Sequence, residues 1–189
     1  KIQIVKGTAG KIWMAYNLGA TAVPSSPDDT AQYGDLYQWG RATDGHEKRT
    51  SLTTTTLSNT DTPVDGKFIT TTTPPYNWRS STNNNLWQGV NGINNPCPSG
   101  YRLPTEAEWN VERLSWVSQN AAGGFASSLK LTMPGYRDLG NGNILVIGTA
   151  GNYWSSTVSG TQARSIGFDD SIGFIYSRNR AMGFSIRCI

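Results

Sequence analysis

The sequence is poor in the residues from which most active sites are built. It holds one histidine, His46, and two cysteines, Cys97 and Cys188, among 189 residues. A zinc site of two cysteines and two histidines is therefore impossible, and so is a four-cysteine site. No metal and no cofactor are expected. Charged residues make up only 15% of the chain, well under the usual quarter. The net charge is +3 and the basic residues are scattered. Their tightest group, Arg178 and Arg180 beside Arg187, is no polybasic run, so nucleic acid is not an expected partner. The longest aliphatic run, Ile144-Leu145-Val146-Ile147, is far too short to cross a bilayer, and no membrane span is expected. No Asn-x-Ser/Thr acceptor occurs, so asparagine-linked glycosylation is not expected. The chain opens at Lys1, with neither Met nor an apolar signal core. We expect that it has been processed or trimmed, and that any targeting segment is absent from this sequence.

What is present suits one globular domain, expected to span residues 1–189. Hydrophobic residues reach 37% with 21 glycines besides, and a chain this long can bury roughly 70% of its unfolded surface. Polarity comes from Ser, Thr, Asn and Gly, a mixture that favours loops and strands over long surface helices. Ile2 and Ile4, then Lys11-Ile12-Trp13-Met14, read as two short strands joined at Gly7–Gly10. Tyr33 to Arg41 is aromatic-rich and reads as a short helix or turn packed on the core. From 43 to 95 the threonine runs, asparagines and prolines form a loop-rich insertion, which the apolar anchors Phe68, Ile69, Trp78, Leu86 and Trp87 tie down. His46, beside Glu47 in that polar stretch, reads as a solvated side chain with no catalytic task.

The clearest helix start is Thr105-Glu106-Ala107-Glu108, a capping box. Ala107, Val111, Leu114 and Val117 follow at helical spacing, and Gly123-Gly124 reads as the stop. Glu106 and Glu108, two apart, do not share a face and suit the helix dipole better than a catalytic pair. Trp13, Trp39, Trp109 and Trp154 each sit in an apolar segment and read as core. Short segments from Leu129 to Cys188, separated by turn residues, predict a compact antiparallel meander after one helix. The fold class is α+β.

Four runs then take on a collective meaning. They are Pro96-Cys97-Pro98-Ser99-Gly100-Tyr101-Arg102-Leu103-Pro104-Thr105-Glu106-Ala107-Glu108-Trp109, Tyr33 to Gly40, Tyr153-Trp154-Ser155-Ser156-Thr157, and Gly183-Phe184-Ser185-Ile186-Arg187-Cys188. With them the chain resembles the Fibrobacter succinogenes major paralogous domain, over nearly its whole length. That family is similar to the formylglycine-generating-enzyme branch of the C-type lectin-like fold. The resemblance implies a helix pair, an antiparallel sheet and neighbouring termini. Residues 159–189 also resemble the variable segment of a diversity-generating-retroelement target protein, in which template adenines are copied inaccurately. It implies a fixed framework of Phe168, Arg180, Ala181, Gly183, Phe184, Arg187 and Cys188. The varied, ligand-binding positions would be Ser165, Gly167, Asp169, Ile172, Phe174, Tyr176, Ser177, Arg178, Asn179 and Met182. Alternation supports the set in part, since Ser165, Gly167 and Asp169 interleave with Ile166 and Phe168, although Ile172 and Phe174 also read as a possible core row. Met182 fits least, because it does not arise from the usual asparagine codons by changes at adenine.

The expected function is a ligand-binding display protein with a hypervariable face, its partner a protein or cell-surface ligand. Its expected location is extracellular, on a cell surface or on a virion surface. A structural surface, pilus or virion protein without a diversified pocket is the alternative. An enzyme of the formylglycine-generating kind is not expected, because its pair of closely spaced C-terminal thiols is reduced here to Cys188, 91 positions from Cys97. Calcium-dependent sugar binding lacks its triplets, and Asp169-Asp170 supplies too few oxygens for calcium. Cys97 and Cys188 sit at element ends with no competing thiol, and a disulfide between them is expected. Two buried free thiols are the other possibility, favoured in a reducing compartment.

Overall fold

A computed structural model describes all 189 residues. Strands outnumber helices and the sheets are largely antiparallel, a mixed fold compatible with α+β. β1 (Ile4–Lys6) and β2 (Ile12–Met14) pair antiparallel across the Gly7–Gly10 turn. The aromatic stretch read as a short helix or turn is instead strand β3 (Tyr37–Gln38), which follows a 3-10 turn at Thr30–Gln32. Both β3 residues are buried, and ladder pairing satisfies backbone groups that would otherwise lie orphaned in the core. In the 43–95 stretch only β4 (Thr53–Thr54) and β5 (Phe68–Ile69) are regular, and they pair in parallel. Phe68, Ile69, Trp78, Leu86 and Trp87 are all buried, which fastens a chain length that has little hydrogen-bonded structure of its own.

α1 (Glu106–Ser115) begins at the capping box: Thr105 Oγ1 accepts from the Glu108 amide, and the Glu108 carboxylate accepts from the Thr105 amide. The side expected to be apolar is not the side that packs. Val111, Leu114 and Val117 are exposed, and Trp109 and Glu112 are buried. One indole covers more area than several aliphatic side chains, so Trp109 sets the rotation of the helix. The helix also stops early. After an extended Trp116 the chain starts α2 (Ala121–Ala126), capped by Asn120 Oδ1 on the Gly123 amide. Gly123 lies inside this second helix, and only glycine fits there, since a Cβ would sit 1.8 Å from the Ser118 carbonyl.

β6 (Tyr136–Arg137), β7 (Ile144–Leu145), β8 (Gly151–Ser159), β9 (Gln162–Phe168), β10 (Gly173–Asn179) and β11 (Gly183–Phe184) complete the chain. β8, β9 and β10 form an antiparallel sheet in the order β10-β9-β8, and a second sheet runs β3-β11-β6-β7. Leu129–Met133 forms no strand. Leu129, Leu131 and Thr132 are buried there, and the Thr132 amide donates to the Tyr153 hydroxyl instead of to a ladder.

Two cores sandwich part of the β8–β10 sheet. One gathers Trp13, Trp109, Trp116, Tyr153, Ile166, Phe168 and Ile175 under α1. The other gathers Trp39, Trp78, Trp87, Trp154, Ala163, Phe184 and Ile186. Cys188 belongs to the second core, and its sulfur is bonded to that of Cys97 with the Cα atoms 5.9 Å apart. The bond closes a loop of 91 residues, which stabilises by roughly 4–5 kcal/mol on the chain-entropy account.

Trp154→Ala should lower stability by about 3–5 kcal/mol, because its indole is fully buried. A denaturant midpoint like that of the parent would overturn this assignment. Under denaturing, non-reducing conditions the chain should present no titratable thiol, and Cys97→Ser should cost about 2–5 kcal/mol.

Candidate functional site

The three strands β8, β9 and β10 present two faces, and register decides what each carries. Ile166 pairs with Ile175 and Tyr153, and these three lie in the core under α1. The other face carries Asn152 opposite Gly167 opposite Phe174, then Trp154 opposite Ser165 opposite Tyr176. At Trp154 this face too is closed, because the Trp154 amide donates to the Ser185 carbonyl and the indole packs 4.4 Å from Phe184. Toward β10 the same face is open.

That opening holds two adjoining hollows, of about 240 and 330 Å³. Tyr136, Asn152 and Arg178 line both. The first extends to Val146, Gly167, Asp169, Ile172 and Tyr176, and the second to Gln162, Ser177, Asn179, Met182 and Phe184. Eight of the ten positions suggested by the sequence thus border one continuous depression. Phe174, 51% exposed, stands beside it, its ring 5.9 Å from that of Tyr176. Ile172, at 49%, is equally open, so neither forms a core row.

Two positions depart from the outward alternation that the sequence suggests. Ser165 is only 1% exposed, covered by the second core that lies against this face at Trp154. Gly167 is buried as well. A Cβ there would lie 3.0 Å from Asn152 Oδ1 and 3.3 Å from the Tyr176 ring, so its bare backbone is the floor on which Tyr176 rests. Ser177 and Asn179 border the second hollow, but by register their side chains leave β10 on the side opposite Tyr176 and Arg178. Their polar atoms are engaged there, Ser177 Oγ with Arg164 and Ser159, and Asn179 Oδ1 with the Gln162 amide. Asp169 Oδ1 accepts from the Ser171 hydroxyl and from the Ser171 and Ile172 amides, bonds that hold its carboxyl below the ordinary value and fix the β9–β10 turn. Sequence reading misses the lining residues Val146 and Gln162, and it also misses Tyr136 and Asn152. Only pairing across separate strands brings the last two to Arg178, and no local pattern marks them.

The framework positions are fully enclosed. Arg180 is buried, stacks 4.3 Å over Trp39, and donates to the carbonyls of Asn83, Gly160 and Gln162. Arg187 donates to Asn17 Oδ1 at 2.8 Å and to the Leu129 carbonyl. Burial without a facing carboxylate pushes both guanidiniums down to about 10, where they remain charged at neutral pH.

The acid and histidine clusters are structural. Glu106 pairs with Arg164 at 2.8 Å. Burial alone would raise the Glu108 carboxyl, but Arg102 and the capping-box bonds bring it down to about 2. The largest hollow, about 580 Å³ at the α1–β10 edge, is lined by such satisfied groups, including Arg113 bonded to Asn110. His46 is not solvated; it is completely buried. The Asp44, His46 and Glu47 ligand atoms lie within 4.8 Å of one another. Both ring nitrogens are nevertheless engaged: Nε2 accepts from the Gln38 amide at 3.0 Å, and Nδ1 meets Asp44 Oδ1 at 2.6 Å. That pattern fixes a neutral tautomer protonated at Nδ1 and leaves no lone pair for a metal.

No family model, curated protein or solved structure matches the chain.

Burial pushes the His46 imidazole from 6.5 down to about 4, against the pull of Asp44. Between those values the unfolded chain binds a proton that the folded chain refuses. The contribution of His46 to stability is therefore complete above pH 6.5 and is lost as the pH falls toward 4, by up to roughly 3 kcal/mol. His46→Gln should flatten that part of a stability profile measured by urea unfolding. An unchanged slope would assign the acid sensitivity elsewhere.

Proposed function

We propose that the chain is a ligand-binding display domain of C-type lectin-like fold, akin to the Fibrobacter succinogenes major paralogous domain, with a binding surface diversified by a retroelement across 159–189. The observation that carries this reading is a partition by burial. Phe168, Arg180, Ala181, Gly183, Phe184, Arg187 and Cys188, the positions such a segment would keep fixed, are all buried. Of the ten positions it would vary, only Ser165 and Gly167 are buried, and the other eight are half-buried or exposed. A segment under random substitution needs this division, since changes in a packed interior cost several kcal/mol and surface changes cost little.

Further support comes from the helix pair, from the antiparallel sheet and from the ends of the chain. The Met14 amide donates to the Cys188 carbonyl and the Leu18 amide to the Ile186 carbonyl, which brings the N-terminal segment beside the last residues. The disulfide suits an extracellular, cell-surface or virion-surface setting. An oxidase of the formylglycine-generating kind is disfavoured because both sulfurs are spent on each other. The mixture of Tyr, Phe and Arg with Ser, Gly and Asn around the depression is that of an antibody paratope, rigid anchors among adaptable polar contacts.

The flanking DNA should contain a reverse-transcriptase gene and a near-identical template repeat whose mismatches fall at adenines of the codons for the open positions. Mismatches spread over the framework codons, or no template at all, would overturn the reading. Tyr176→Ala and Arg178→Ala should leave the melting temperature within a few degrees of the parent and weaken ligand binding by more than about 1 kcal/mol each.

A further inference from the structure

The depression is chemically lopsided. Where its two hollows meet, Arg178 lies 4.4 Å over the Tyr176 ring, and its guanidinium has neither an ion pair nor a hydrogen bond to the protein. The hollow it shares with Gln162, Met182 and Phe184 contains no carboxylate. At one end the walls are aliphatic. Val146 holds φ +52 and is 46% exposed, a left-handed conformation that costs a β-branched residue energy. Its carbonyl accepts from the Thr149 and Ala150 amides, which locks the turn and offers Val146 to the hollow beside Ile172. The one acid at that end, Asp169, already accepts three hydrogen bonds from its own turn.

We infer that this surface takes a protein segment in which an Asp or Glu side chain stands next to an aliphatic one, the carboxylate on Arg178 and the aliphatic group against Val146 and Ile172. The inference rests on the binding-face reading above. A guanidinium with its donors free matches a carboxylate in a two-pronged geometry, and its ring support already restricts its motion. Carboxylates also occur on acidic sugars, but sugar rings are held by flat stacking on open aromatic faces. Here Tyr176 carries Arg178 and rests on Gly167, and Phe174 carries Arg113 at 5.1 Å. An aliphatic lip likewise suits a Leu, Ile or Val side chain better than a hydroxyl-covered ring.

Selection of phage-displayed random heptapeptides on the immobilised domain tests this. Recovered peptides should be enriched several-fold in Asp or Glu adjacent to Leu, Ile or Val. Changing that acid to its amide, or testing against Arg178→Gln, should weaken binding about tenfold, and Ile172→Asp should weaken it comparably. Unchanged melting temperatures of both variants tie the losses to the site. Peptides that need Ile172 but are indifferent to Arg178, or that lack acids, overturn the carboxylate inference and leave the binding face standing. Peptides indifferent to both variants, or no enrichment at all, overturn both. Binding to arrayed sialylated or uronic-acid glycans in place of peptides overturns the choice of a protein partner.

Discussion

The molecule is pinned together by indole N–H groups that donate to backbone carbonyls far away in sequence. Trp154 donates to Tyr37, Trp39 to Ser155, Trp109 to Trp154, Trp78 to Trp39 and Trp87 to Arg41. Each bond joins an element to one that the chain reaches only after a long excursion. Together they hold α1, the 43–95 insertion and β3 against β8. A buried indole supplies large apolar area and one donor, satisfied in these five and left without a partner in Trp13 and Trp116. It therefore fixes orientation as well as burial, which suits a protein whose strands are mostly two or three residues long.

A consequence is a rigid floor beneath an open corner. At Trp154 and Ser165, β8 and β9 are clamped on both faces, and β10, an edge strand, is clamped on one. Side chains at its open face exchange contacts with solvent and with each other, as Phe174, Tyr176 and Arg178 do. Substitution there leaves the tryptophan bonds and the buried arginines untouched. Gly167 is the exception within that face, since any side chain would displace Tyr176 or Asn152. Variation at this one position would reshape the depression from below.

Much of the local structure was legible because it depends on neighbours in sequence. The capping box at Thr105 needs only residues three apart, the β1–β2 turn needs its glycines, and six of the seven tryptophans, all but Trp116, announced their burial by size. Other features depend on partners the sequence does not point to. The Val111, Leu114 and Val117 spacing describes an apolar stripe, but Trp109 outweighs it and turns that stripe outward. His46 looked like a loop residue because nothing nearby shows that the Gln38 amide and Asp44 close around it.

The sequence by itself determined which residues are bulky, which segments alternate and where turns fall. It thereby determined the mixed architecture and the stretch from which the depression is made. Only the tertiary structure decided the membership of that depression. It removed Ser165, kept Ser177 and Asn179 at the border while turning their side chains to the opposite face, and brought in Tyr136 and Asn152. The physical reason is that alternation divides a strand into two faces but cannot say whether one face or both will be covered. That depends on how far a core contributed by other segments extends beneath the sheet, and here it ends between Trp154 and Asn152.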